Sequence, residues 1–171
     1  VLSKAVSKKE KKGEIPSYIP QKLPNTLAFL ALRQLRKLQR FISHQKEIAK
    51  FYNENLKNLN CFLPNSDPGR IYMRYSILIQ NYDTGEILRK ARRLKIFLDD
   101  GWRKTPITPP DTDQKKMEYI FGSCPAAEKV AKTILNLPTH INVSQKDAQK
   151  IVDFLKNLWT PTHPPPLKEK T

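Results

Sequence analysis

The stretch "FGSCPAAEKVAKTILNLPTH", residues 121 to 140, carries both punctuation and chemistry. Pro125 suits the first turn of a helix, where its missing N–H belongs to a group with no helical partner. Ala127, Val130, Ala131, Ile134 and Leu135 then recur at helical spacing, and Pro138 stops the pattern. The spacing therefore predicts a helix opened by Pro125 and closed by Pro138. Cys124 stands at its start and His140 beyond its end. A helix N-terminus favours thiolate, so Cys124 could be a reactive thiol; it could equally be a small residue that packs. No other histidine lies near it in the sequence, and His140 follows the helix-ending "LPT" into a loop.

The flanking sequence supplies the rest of a layered fold. Downstream, Ser144 and Asp147 have the spacing of a capping box, and Ala148, Ile151, Val152, Leu155 and Leu158 form the inward stripe of a final helix. Upstream, "IYMRYSILI" at 71 to 79 alternates strictly, with Ile71, Met73, Tyr75, Ile77 and Ile79 on one face, and predicts a strand. "DTGE" at 83 to 86 caps a helix carrying Ile87, Leu88, Ala91 and Leu94. "KIFLDD" at 95 to 100 reads as a second short strand, and residues 103 to 116 as a proline-punctuated loop.

The longest element comes first. Leu23-Pro24 leads in, Asn25 is a suitable cap, and apolar positions then step by four and three: Ala31, Leu35, Leu38, Ile42, Ala49, Tyr52 and Leu56. Leu27, Leu30 and Phe41 widen the face. A helix over about 25–58 would span roughly 50 Å, more than a small domain needs, as in a helix that crosses between two bodies. Its other face carries Arg33, Arg36, Lys37, Arg40, Lys46 and Lys50 and is expected to be solvated. The order of elements predicts a small α/β (α+β) arrangement, one sheet with helices packed against it.

Composition bounds what this fold can do. The 171 residues suffice for one core, while 14 prolines and a hydrophobic content of 39% imply solvated ends. Residues 1–21 read as a basic, partly disordered lead-in, 22–159 as the domain, and 160–171 as a proline-rich disordered tail. The first residue is Val1, as expected of a processed or trimmed chain, and the basic start is not followed by the apolar stretch of a signal peptide. No apolar run reaches membrane-spanning length, and Cys61 and Cys124 form neither a metal-ligand spacing nor a disulfide framework, so a cytoplasmic location is expected. Three scattered histidines argue against a metal site, and five dispersed glycines against a phosphate loop. A net charge of +15 raises polyanions as partners, although no aromatic residues interleave with the basic runs as stacking platforms for nucleic acid.

Three stretches share a further resemblance. "LPNTLAFLALRQLRKLQRFISHQKEIAKFYNENL" resembles the start of the C-terminal domain in the DegT/DnrJ/StrS aminotransferases, with Asn25, Ala28, Gln34, Leu35, Ala49, Tyr52 and Leu56 in place. "LDDGWRKTPITPP" looks like the family's Gly-x-Trp-Tyr loop and the proline segment after it, through Trp102, Pro106, Ile107 and Pro109. "GSCPAAEKVAKTILNLPTH" is similar to the family's "CP.AE..A..ILNLP" segment, through Cys124, Pro125, Ala127, Glu128, Ala131 and Leu137-Pro138. Together these cover roughly residues 22 to 158. Pro20 stands where the family often has asparagine, Lys22 where many members have arginine, and Arg103 where they have tyrosine.

The resemblance implies the small C-terminal domain of a fold-type I pyridoxal-phosphate enzyme, its long helix descending from a larger cofactor domain. It implies amino transfer, typically from glutamate, to a keto sugar nucleotide in amino-sugar and cell-surface polysaccharide biosynthesis. The lysine that bonds pyridoxal 5'-phosphate belongs to the large domain in this family and has no counterpart here. The chain alone is thus expected to bind no cofactor and to be inactive, with no catalytic residue of its own. By resemblance Lys22 and Asn25 would lie near the cofactor of a neighbouring subunit, and Trp102, Arg103 and Lys104 near the substrate. Expected partners are the cofactor domain of the same enzyme or a homodimer partner. The alternative is a basic module that binds nucleic acid or another polyanion.

Overall fold

In the computed structural model, which describes residues 22–67, 69–99, 108 and 112–159, the core is organised around one strand. β2 (Arg74–Ile79) alternates as its sequence demands, burying Tyr75, Ile77 and Ile79. It is the middle of a three-stranded antiparallel sheet, β1-β2-β3, where β1 is Cys61–Phe62 and β3 is Ile134–Pro138. The register sets Tyr75 opposite Leu137 and Ile77 opposite Leu135, so both pairs face the same side. The strand is shorter than the predicted 71–79. Ile71 and Met73 precede it and are exposed, because β3 ends opposite Arg74 and nothing pairs further out.

β3 is the main correction to the sequence reading. Ile134 and Leu135 do not extend the helix: α4 covers Pro125–Thr133, and the chain turns extended at Ile134 (φ −73°, ψ 135°). Pro125 does open α4. The "KIFLDD" strand does not form either. Asp99 alone makes a bridge, exchanging backbone bonds with Asn136 (3.3 and 2.6 Å).

Helices cover the inner face of the sheet. The predicted long helix is present with one interruption: α1 (Asn25–Leu35) and α2 (Leu38–Leu56) are joined through Arg36 and Lys37, whose backbones stay in the right-handed helical region. Pro24, not Asn25, takes the cap position, and no side chain caps α1; Asn25 is already its first residue. α2 buries Ile48, Ala49, Tyr52 and Leu56, whereas α1 buries nothing. α3 (Thr84–Arg93) is capped by Asp83, which accepts from Gly85 N at 2.6 Å, and it contributes Ile87 and Ala91. Its buried Thr84 hydroxyl donates to the Lys132 carbonyl at the end of α4 (2.7 Å). α5 (Gln145–Trp159) has the predicted capping box, with Ser144 N donating to Asp147 and Asp147 N donating to the Ser144 hydroxyl, both at 3.1 Å. Its Ala148, Ile151, Val152, Phe154 and Leu155 close the core against α2 and the sheet. No described helix is long and apolar enough to cross a membrane. The predicted lead-in and tail lie outside the described residues.

Candidate functional site

Glu128 explains the segment that begins at Phe121. It sits one turn into α4 and is buried, so its carboxylate must be satisfied from within. Oε1 accepts from the Tyr119 hydroxyl (2.7 Å), from Gly122 N (2.7 Å) and from Cys124 N (3.4 Å). Gly122 adopts φ 92°, a conformation that costs a glycine little, and this turns its N–H inward. The Tyr119 hydrogen bond, followed by those of the two amides, holds the Glu128 carboxyl below its ordinary value, although burial opposes this. The Tyr119 phenol is pushed up to about 12, first by burial and then by the same bond. The arrangement fastens a loop to a helix start. Cys124 is half-buried, its nearest polar contact is the Ser123 hydroxyl at 3.9 Å, and His140 is exposed beyond β3. No hydrogen bond joins that thiol and that imidazole among the described residues.

The other shared segment is structural for the same reason. The hydroxyl of Tyr52, wholly buried on α2, donates to the Pro138 carbonyl at the end of β3 (3.1 Å). Ala49, Tyr52 and Leu56 from one stretch meet Leu135 and Leu137 from the other in one cluster. Sequence reasoning missed both links. The acidic residue in the first turn after a glycine-containing loop was a usable signal for Glu128; a contact between residues 52 and 138 has no local signal.

Polar side chains gather on the sheet's outer face. Arg74 pairs with Asp99, and the Ser76 hydroxyl donates to Asn136 Oδ1 at 2.5 Å. Arg74, Asp99 and Asn136, with Met73, Phe97 and His140, line a cleft of about 190 Å³. The chain leaves this edge at Asp99 toward Trp102, Arg103 and Lys104, which lie outside the described residues. Lys22 and Asn25 are described and exposed. Asn25 precedes the first buried residue of α2, Ile48, by a helical path of roughly 35 Å.

The described residues do not fit pyridoxal phosphate. An internal aldimine needs a lysine held in a desolvated pocket, and every described lysine is exposed except the half-buried Lys156. No group of His, Cys, Asp or Glu able to hold a metal occurs among them either.

A long helix leading into a three-stranded sheet with helices on one face defines an α+β architecture of the kind that forms a subdomain in fold-type I pyridoxal-phosphate transferases. The chain belongs to the DegT/DnrJ/EryC1/StrS aminotransferase family, whose pattern matches residues 3–156. Among solved structures it is similar to a DegT DnrJ EryC1 StrS aminotransferase from Brucella abortus, with 24% identity over 75% of this chain and 34% of that one and a TM-score of 0.61. It is also similar to S. venezuelae DesV in complex with a ketimine intermediate (19% identity, 77% and 35% covered, TM-score 0.61). A third is the putative sugar aminotransferase Spr1654 from Streptococcus pneumoniae in its PLP form (16% identity, 73% and 33% covered, TM-score 0.62). At these identities the likeness is one of fold. The chain spans about a third of the length of these relatives. Comparison with curated proteins gave no match.

Proposed function

We propose that this chain is the C-terminal small-domain part of a pyridoxal-phosphate-dependent aminotransferase acting on keto sugar nucleotides, with glutamate as amino donor, and that it is inactive by itself. The observation that supports this most directly is the family match over residues 3–156. The division of the long helix agrees with it: α2 packs on the chain's own sheet while α1 buries none of its residues. A helix built in this way is suited to carry α1 to a second body, either the cofactor domain or a homodimer partner.

In this reading Lys22 and Asn25, far from the sheet, act near the cofactor of a neighbouring subunit. Trp102, Arg103 and Lys104, which follow Asp99 in the sequence, meet the substrate, whose diphosphate the two cations suit. The amino transfer itself belongs to the cofactor and to the lysine-bearing domain. The test is spectroscopic. The purified chain mixed with pyridoxal phosphate is expected to show no aldimine absorbance and no glutamate-dependent amino transfer. Adding a cofactor-domain partner chain from the family is expected to restore transfer. An aldimine band with the chain alone would overturn the inactivity, and failure of every such partner would count against the small-domain role.

A further inference from the structure

α1 is apolar over more of its surface than one packed face requires. Leu27, Phe29, Leu30, Leu32, Leu35 and the adjoining Leu38 are each 47–62% exposed. At about 100° per residue, the five leucines spread over an arc of roughly 200°, about twice the stripe by which a helix packs on one surface. So wide an arc is covered from two sides, by a groove, and not by one flat face. A contiguous apolar patch of this kind marks an interaction surface.

The rest of the circumference is basic. Arg33, Arg36, Lys37 and Arg40 fall together within roughly 100° of the remaining arc, and all four are exposed. Phe29 lies among them, with the Arg33 guanidinium 5.9 Å from the centre of its ring. No Asp or Glu stands between residues 22 and 46, so these charges are not balanced within the stretch that carries them. None of the four forms an ion pair with an acid among the described residues.

Charge decides among the occupants of this helix. A second copy of α1 would bring four more cations and no carboxylate, setting like charges beside one another. A groove with an apolar floor and an acidic rim complements both parts of the surface at once. We propose that α1 docks into an apolar groove rimmed by Asp or Glu side chains on the cofactor domain. The inference rests on the small-domain reading and adds to it the chemistry of the surface that receives the helix. The leucines hold the complex, while the cations steer its formation and make it weaken with salt.

The test uses the full chain and a family cofactor-domain partner chain, with affinity read by titration calorimetry and α1 protection by hydrogen exchange. Binding is expected to protect α1. It is expected to weaken by about tenfold or more from about 0.01 M to about 1 M ionic strength, as the screening length falls from roughly 30 Å to 3 Å. R33E/R36E/R40E is expected to weaken binding by about tenfold or more at low salt and to remove that salt dependence, and L27E/L30E to abolish binding. Both variants change exposed positions only, so both keep the fold. R89E/R92E/R93E reverses as much charge on the exposed side of α3 and is expected to change affinity by less than about threefold.

Restored transfer with an affinity that ignores salt, or that falls equally in the two triple variants, would overturn the acidic rim and leave the small-domain reading standing. If no family partner binds, that reading and this proposal fall together. Stronger protection of α1 by vesicles of anionic lipid than by the domain would assign the helix to a membrane surface and overturn the proposal. Protection that grows with the concentration of the chain alone would overturn it in favour of a second copy.

Discussion

Glu128 accepts from a phenol and two backbone amides, and its carboxyl is held below its ordinary value as a result. The folded state is therefore harder to protonate than the unfolded chain at this position. The stabilisation it supplies is complete above the unfolded carboxyl value, about pH 4.5, and is lost as pH falls through the depressed folded value. Urea unfolding of the parent chain and of Glu128→Gln should differ by a constant amount from neutrality down to about pH 5, then converge in acid. A difference that stays constant down to about pH 3 would sink this account. Lys95 makes the opposite case, a residue whose backbone works against its side chain. It holds φ 58° just past α3, where Lys95 N donates to the Arg92 carbonyl (3.0 Å) and Ile96 N to the Ala91 carbonyl (2.9 Å). That is a Schellman ending, for which glycine is the unstrained choice. Lys95→Gly should raise the unfolding free energy by about 1 kcal/mol, measured by the same urea titration.

The same φ shows why the predicted strand at 95 to 100 is absent: a residue in the left-handed region opens that stretch, and Phe97 then points to solvent, leaving only Asp99 to pair. Nothing in "KIFLDD" marks a lysine as a helix stop, so the ending was invisible in the sequence. The error at β3 had a different origin. Ile134 and Leu135 fall three and four residues after Ala131, in phase with the helix before them, and a five-residue strand is too short for its own period to compete. What was legible was the strong alternation of β2, the Ser144–Asp147 box and the phase of the long helix. At about 3.6 residues per turn, Leu27, Leu30 and Leu38 fall on the same face as Ile48, Tyr52 and Leu56. The sheet covers only the lower half of that face, and Leu27 and Leu30 are each about half exposed. L27E/L30E should therefore change the unfolding free energy of this chain by less than about 0.5 kcal/mol, because no packed contact is lost. Leu56→Ala, at a wholly buried position, should cost about 2 to 5 kcal/mol in the same assay. A large loss in the α1 variant would show that its leucines are covered by this chain after all.

On the scale of the molecule, the shared segments and the candidate site residues separate. The residues that carry the family resemblance at Tyr52, Leu56, Glu128 and Leu137 are buried and hold α2, α4 and the sheet together. Lys22 and Asn25 sit on the exposed end of a helix, where sequence pattern places a residue without saying what it faces. This partition has a consequence for opening motions. Amides of α2, β2, β3 and the buried half of α5 lie in one cooperative cluster and should exchange with solvent only through global unfolding. None of α1's residues is buried among the described residues, and an isolated helix of 11 residues is marginal in water. Hydrogen exchange should therefore show α1 fraying with little protection up to Arg36, and protection rising steeply within α2 by Ile48. Adding a family cofactor-domain partner should slow exchange in α1 while leaving β2 and β3 unchanged, since their amides are already at the global limit. Equal protection of α1 and α2 in the chain alone would mean that α1 is already packed against something, another copy of this chain being the first to test by its concentration dependence.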